Sequence, residues 1–222
     1  MHGYVFQFRP VFQDLPMLLD GALTTLHISL LTLFFSFVVG TAGALCRMSR
    51  VRWLHGPATW YVEFIRNTPL LVQLFFIYFG LSQVDIQVPN YVAGLIGLVV
   101  NNSAYLTEII RTGIQAVHKG QFEAGLSLGL SFPQLMRRVV FPQAFRVIYP
   151  PLCNQFVGII LWSSLVSTIA VEDLAMRGKQ LASTTFRSFE TYIVLTLIYV
   201  VMTLTVSGIL KLVGRRLFRR PA

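Results

Sequence analysis

The sequence predicts an all-α, polytopic membrane protein with five transmembrane helices and a short cytoplasmic helix between the third and the fourth. Three observations carry that prediction. Hydrophobic residues make up 55% of the 222-residue chain and charged residues only 12%, and the mean hydropathy is positive; this composition excludes an ordinary water-soluble globular protein. Five stretches reach the roughly 20 apolar residues a helix needs to cross a bilayer: Gly21 to Leu45, Pro57 to Leu81, Tyr91 to Gln115, Phe145 to Val171 and Tyr192 to Leu212. The basic residues between those stretches cluster on one side, and together the five runs read as one domain over residues 1–222.

Met1 to Asp20 reads as an extracytoplasmic arm, with Tyr4, Phe6, Phe8, Phe12 and Leu15 available to sit at the lipid interface. It lacks a basic leader feeding an apolar core, and the first apolar run starts too late and is too long for a cleaved signal. Insertion is therefore expected to use the first span. That span carries Gly40, Thr41, Ala42, Gly43 and Ala44, small residues that let helices approach closely in lipid. His27 within it reads as a hydrogen-bonded packing residue rather than a ligand, since His2, His27, His55 and His118 show no metal-ligand spacing.

The second span contains Pro69, which frees the carbonyl of Ile65 and can bend the helix. Glu63 and Arg66 precede it, and Glu108 and Arg111 repeat the same three-residue spacing in the third span, so each pair can meet on one helix face. Charge inside a membrane is costly unless paired or hydrated. The repetition predicts an ion-pair layer in the cytoplasmic half, which either gates a pathway or staples the helices together.

Between the third and fourth spans, residues 119–142 are of mixed polarity. Phe122, Leu126 and Leu130 recur every four residues, as in a short amphipathic helix. Glu123 falls in its first turn and Arg137-Arg138 at its end, as a helix dipole favours. Such a helix serves either to dock a partner or to lie on the membrane surface.

From Val147 to Val171 the fourth span carries no charge; it presents Asn154, Gln155, Trp162, Ser163, Ser164, Ser167 and Thr168, with Pro150 and Pro151 near its start. Neutral polar groups of this kind suit a cavity for a small polar solute, or serve as helix-to-helix glue.

Orientation follows from the basic residues. Arg47, Arg50 and Arg52, then Arg111, Lys119, Arg137, Arg138 and Arg146, then Lys211, Arg215, Arg216, Arg219 and Arg220 fall on one side. The other side holds only Arg9, Arg177, Lys179 and Arg187, against Asp14, Asp20, Asp85, Glu172, Asp173 and Glu190. The positive-inside rule places the amino terminus outside and the carboxyl terminus in the cytoplasm. The net charge of +9 is then explained by cationic loops beside anionic lipid, with no nucleic-acid partner required. Cys46 and Cys153 fall near cytoplasmic span ends, where thiols stay reduced.

No nucleophile-and-base, paired-carboxylate or metal arrangement is evident. The Gly178-Lys179 pair is followed by Gln180 and has Asp173 where a Walker A motif needs its first Gly. ATP hydrolysis, if used, must come from another chain.

Glu123-Ala-Gly-Leu-Ser-Leu-Gly129, with Ser131, Phe132, Pro133 and Pro142 after it, resembles the cytoplasmic "EAA" loop of bacterial ABC importer permeases. The likeness covers nearly the whole chain. Glu63-Phe-Ile-Arg66-Asn-Thr-Pro69-Leu-Leu-Val-Gln73, Asn101-Asn-Ser-Ala-Tyr105-Leu-Thr-Glu108-Ile-Ile-Arg111, Pro142-Gln-Ala-Phe-Arg146 and Ser163-Ser-Leu-Val-Ser167 resemble the polar amino acid uptake family, of histidine, glutamine and glutamate type.

That resemblance implies a permease subunit in the bacterial inner membrane that moves a polar amino acid by alternating access. It implies a second permease, identical or homologous, two ATPase subunits that bind ATP and magnesium, and an extracytoplasmic amino-acid-binding protein, with no cofactor in this chain. Glu123, Ala124, Gly125, Gly129, Ser131 and Phe132 would couple to the ATPase. Leu70, Asn101, Gln155 and Trp162 would contact substrate.

The chain departs from the family pattern at three places. Gln155 stands where many relatives carry Glu, Leu161-Trp162 where they carry Lys-Asp, and Gly125 where Ala is usual. Loss of those carboxylates removes partners for a cationic side chain and implies a weak preference against arginine and lysine; equally, it would mark the non-binding member of a permease pair. Gly125 implies closer approach to a docking surface. The rival function is an ion-driven carrier or channel, which would want exposed intramembrane charge and no docking loop.

Overall fold

The computed structural model describes residues 4–218; His2, Arg219 and Arg220 lie outside the described residues. After a short helix α1 (Arg9–Gln13), α2 (Leu15–Met48) crosses the whole structure. Its buried face repeats every three or four residues through Gly21, Thr25, Ser29, Thr32, Ser36, Gly40 and Ala44. These residues are small because the helix packs along most of its length on α5 (Asn90–Gln115), and in lipid close backbone approach replaces the hydrophobic effect as the source of helix association. A side chain at Gly40 would collide with Leu106 Cβ and the carbonyl of Ser103. Hydroxyls lace the seam: Ser36 donates to the Val99 carbonyl at 3.3 Å and Thr107 to the Gly40 carbonyl at 3.3 Å. His27 meets the Tyr91 hydroxyl at 2.7 Å, a packing contact between the same two helices.

The stretch expected as a second span is two helices, α3 (Arg52–Arg66) and α4 (Leu70–Gln83), bent by 106°. Pro69 has no N–H to give the carbonyl of Ile65. The Gln73 side chain takes its place, donating to the Ile65 carbonyl at 2.9 Å and to Thr68 Oγ1 at 2.7 Å. A sharp turn at membrane depth is tolerated where the freed backbone groups find partners, and here the partner is a side chain one turn into the next helix. Among the described residues, four helices are long and apolar enough to cross a membrane, and a fifth span results if the bent pair is counted as one.

The segment after α5 holds α6 (Lys119–Ser127) and α7 (Phe132–Leu135), a π-helical turn Met136–Val140, and then α8 (Phe141–Trp162), which runs on through Pro150 and Pro151. It finishes as a 3-10 helix over Ser163–Ile169. There Ser163, Ser164, Ser167 and Thr168 each donate to the carbonyl three residues back, at 2.8, 2.7, 2.7 and 2.6 Å. The hydroxyl stripe is thus saturated by its own backbone, so its hydroxyls are committed as donors neither to a cavity nor to a neighbouring helix.

Ala170 then reverses the chain in the left-handed region at φ 59°. Next comes α9 (Leu174–Thr185), a helix the apolar runs did not predict; it packs on α2 and on α10 (Ser188–Leu217). Asp173 caps it by accepting from the Met176 N–H at 2.9 Å, an ordinary helix-start signal.

Candidate functional site

α5 is the most buried of the spanning helices, and its polar side chains organise the middle of the bundle. Asn101 is buried and donates to Gln73 Oε1 at 3.1 Å, so it is tied through Gln73 to the broken carbonyl of Ile65. Gln155 of α8 is also buried, but it donates to Asn102 Oδ1 at 2.7 Å, and Asn102 donates on to the Leu98 carbonyl at 3.0 Å. Two adjacent asparagines therefore take different partners, one on α4 and one on α8. Buried amides are costly unless paired, and these chains of donors leave none of the four without a partner.

Leu70 packs into a different cluster, with Leu74, Leu98 and Val166. Trp162 stays 39% exposed; its ring folds back over Gly158 and lies 6.4 Å from Tyr105. The Arg66 guanidinium sits over the Tyr105 ring, 5.4 Å from its centroid. The four residues expected to contact substrate thus divide into a buried pair, Asn101 and Gln155, and a more open pair, Leu70 and Trp162.

The ion-pair layer differs from its expected form. Glu108 and Arg111 are in contact, and Arg111 also donates to Gln115 at 2.6 Å. Glu63 and Arg66 do not pair: Arg66 is occupied by Tyr105, and Glu63 accepts from Arg47 at 2.9 Å. Arg47 reaches Glu108 as well, at 2.6 Å. One arginine at the end of α2 therefore bridges a carboxylate on α3 and another on α5, and sequence reasoning had placed it only among the loop charges. The only signal for it is an arginine two residues past the end of the first apolar run.

In the segment 119–142 the local geometry is that of a closed helix end. Leu130 N–H donates to the Gly125 carbonyl at 3.1 Å and Gly129 N–H to the Leu126 carbonyl at 2.9 Å, the paired bonds of a Schellman motif. Gly129 has φ +76° with open space where a side chain would stand, so backbone conformation and not crowding requires glycine there. The chain then restarts at Ser131, whose N–H donates to Gln134 Oε1 at 3.0 Å.

Two expectations change as a result. The helix ends at Ser127, before Leu130, and Arg137-Arg138 belong to the π-helical turn beyond it. Phe122 and Leu130 do pack inward, but Leu126 is exposed. Gly125 is buried, and a side chain there would strike Leu135. The close approach it permits is to its own chain and not to a docking surface. Outward instead point Glu123, Ala124, Leu126, Leu128 and Phe132, with Leu128 82% and Phe132 66% exposed.

The comparisons with known proteins agree on what this architecture is. Residues 36–219 match the family described as binding-protein-dependent transport system inner membrane component. The chain belongs to that family. It is 39% identical over 197 residues to the probable glutamine ABC transporter permease protein GlnM of Bacillus subtilis, covering 89% of this chain and 91% of that one. It is 34% identical to the arginine transport system permease protein ArtQ of the same organism, over 95% and 96% of the two chains.

A crystal structure of an amino acid ABC transporter with histidines superposes with TM-score 0.90 at 41% identity, covering 96% of this chain and all of that one. The inward-facing MetNI methionine transporter, at 20% identity and TM-score 0.78, shares the fold. This family member is accordingly an ABC importer permease of the inner membrane, a transport component and not an enzyme. Membership implies ATPase and solute-binding subunits on other chains, and nothing in the comparisons favours a carrier that works alone.

Proposed function

We propose that this permease imports a polar amino acid by alternating access, as one of a pair of identical or homologous permeases. Two ATPase subunits that hold ATP and magnesium would drive the pair, and an extracytoplasmic amino-acid-binding protein would feed it. Its amino terminus lies outside and its carboxyl terminus in the cytoplasm, in keeping with the basic residues on the α6 side. The solute class comes from the printed names of relatives for glutamine and arginine and of the structure with histidines.

The observation that carries the reading is the capped α6 with Leu126, Leu128 and Phe132 exposed around Glu123 and Ala124. Apolar side chains on a short, rigidly closed helix suit insertion into a groove of a partner. Glu123, Ala124, Gly129, Ser131 and Phe132 form or flank that face, and Gly125 supports it from below by letting Leu135 in.

At the other end of the path, the partly open surface of Leu70, Trp162 and Tyr105 is where the second permease completes a binding chamber. Asn101 and Gln155 release their internal partners to meet the solute there. With Gln155 and Trp162 in place of acidic residues, arginine and lysine bind less well than neutral or acidic amino acids. Competition by arginine as strong as by glutamine, in uptake by the reconstituted complex, would sink that preference.

The coupling role is tested by Gly129→Val, which places a β-branched residue at positive φ. The variant is expected in the membrane at normal amounts, with uptake reduced about tenfold or more and ATP hydrolysis no longer stimulated by loaded binding protein. Normal coupled uptake would count against the role.

A further inference from the structure

Besides the polar seam and α6, the structure carries a second cluster of charge. At the α6 end of the bundle, a cleft of about 410 Å³ opens between α8 and α10. Arg146 on α8 and Lys211 and Arg215 on α10 line it, and no acidic residue does. Among the described residues none of the three cations has a carboxylate within ion-pair distance. Three like charges gathered without a counterion are unfavourable unless an anion joins them.

The lining follows the two helices, with Arg146, Tyr149, Asn154 and Val157 in turn along α8 and Arg215, Lys211 and Ser207 in turn along α10. From Arg146 to Val157 the cleft runs about 16 Å along α8 at the helical rise. Charge, neutral polar groups and apolar surface thus follow in the order of a phospholipid's phosphate, glycerol esters and acyl chain.

Tyr149 holds the floor of the cleft. Its hydroxyl donates to the Leu210 carbonyl at 2.7 Å, and its ring lies where a side chain at Gly214 would otherwise stand. The ring also meets Phe218 edge-on at 5.3 Å. The two helices are pinned at this separation, so the cleft is a property of the fold and does not require a ligand to open it. Basic pockets between spanning helices on the cytoplasmic side are suited to anionic headgroups.

We infer that the α8–α10 cleft binds the phosphate group of an anionic glycerophospholipid, with Arg146, Lys211 and Arg215 around the phosphate and one acyl chain passing Val157. Placing that lipid in the inner leaflet rests on the orientation proposed above. A reversed topology, read by cysteine labelling, would leave the lipid bound and change only its leaflet.

The test uses the assembled permease–ATPase complex, extracted in mild detergent and weighed by native mass spectrometry. Wild type is expected to retain anionic phospholipid, and K211Q/R215Q to retain at least tenfold less. R50Q/R52Q, which removes two charges from the same end outside the cleft, is expected to keep it, as is the charge-conserving K211R/R215K. Equal loss from R50Q/R52Q would overturn the site in favour of general surface charge.

In nanodiscs of phosphatidylcholine, adding phosphatidylglycerol is expected to raise the wild-type Tm and inorganic phosphate to leave it unchanged. Equal stabilisation by phosphate would overturn the lipid as the source. Loss of the ATPase subunit from K211Q/R215Q with lipid retained would overturn the site in favour of an ATPase contact. Should K211Q/R215Q fail to assemble, titration of phosphatidylglycerol into delipidated wild type must still show saturable binding, and its absence refutes the proposal.

Discussion

The two ends of the bundle handle carboxylates in opposite ways. At the α6 end, Glu63 and Glu108 share Arg47, and Glu108 also holds Arg111. All four side chains keep some contact with solvent. At the α9 end, Asp173 and Glu190 are fully buried. Glu190 accepts from the Tyr4 hydroxyl at 2.5 Å and the Gln7 N–H at 2.8 Å, with Arg187 3.9 Å away. Asp173 spends one oxygen on the cap of α9, while the other has no partner, as has the buried Tyr199 hydroxyl. A solvated, shared network can exchange partners as helices shift, whereas a buried carboxylate is held by whatever surrounds it. From that contrast we propose that the α6 end moves while the α9 end stays fixed.

The largest effect expected from this contrast is a pH dependence owed to Asp173. Burial pushes its carboxyl up to about 7 from an ordinary 3.8, against the weaker pull of its backbone donors. Between those values the folded protein keeps a proton that the unfolded chain has released, so stability falls as pH rises through the window and levels off above about 7. The change is on the order of 4 kcal/mol. The charges nearest along the chain are Glu172, which pairs with Arg177, and Arg177 itself, whose Nε is buried without a partner. Asp173→Asn keeps a capping side chain and removes the proton. Its Tm in nanodiscs should be flat from pH 5 to about 7, where wild type declines; parallel profiles would show that Asp173 is not the titrating group.

Glu190→Gln comes next. The amide keeps one acceptor but cannot replace both charge-assisted bonds, from the Tyr4 hydroxyl and the Gln7 N–H, that tie the amino-terminal arm to the start of α10, while Arg187 still holds Gln7 Oε1 at 2.8 Å and the Val5 carbonyl at 3.3 Å. We expect a Tm loss of roughly 5 °C and faster proteolysis before α1. Protease resistance equal to wild type would mean that the aromatic contacts of Phe6 and Phe8 suffice to hold the arm.

How far these features are legible in the sequence depends on the range of the interactions. The apolar runs and the Glu123 to Phe132 segment are local patterns, and chain order alone exposes them. Glycine at 129 was legible as a motif residue, and its left-handed conformation supplies the reason. The direction of Gly125 was not, because Leu135, ten residues on, decides it. Gln73 stood in plain view four residues after Pro69, yet its role needs the turn to exist before the amide can fill the carbonyl. Helix α9 is too short and too polar to register as an apolar run, although Asp173 announces its start. The pairing of Arg47 is not legible because its partners lie 16 and 61 residues away, and only the small-residue packing of α2 on α5 brings them together.

The smallest expected effect on stability is the most informative for function. Glu108→Gln removes the carboxylate that Arg47 and Arg111 share, but both cations are near water and Arg47 retains Glu63. Solvent screening limits the stability cost to about 1 kcal/mol, so assembly with the ATPase should survive. If the layer merely staples α2, α3 and α5, uptake should survive with it. If instead the layer changes partners as the bundle alternates, losing the shared carboxylate alters the balance between the two states, and 1 kcal/mol there is about a fivefold change in their ratio. We expect uptake by reconstituted complexes to fall about fivefold at unchanged assembly. Uptake per assembled complex equal to wild type would leave the layer as a staple and remove the distinction between a mobile end and a fixed one.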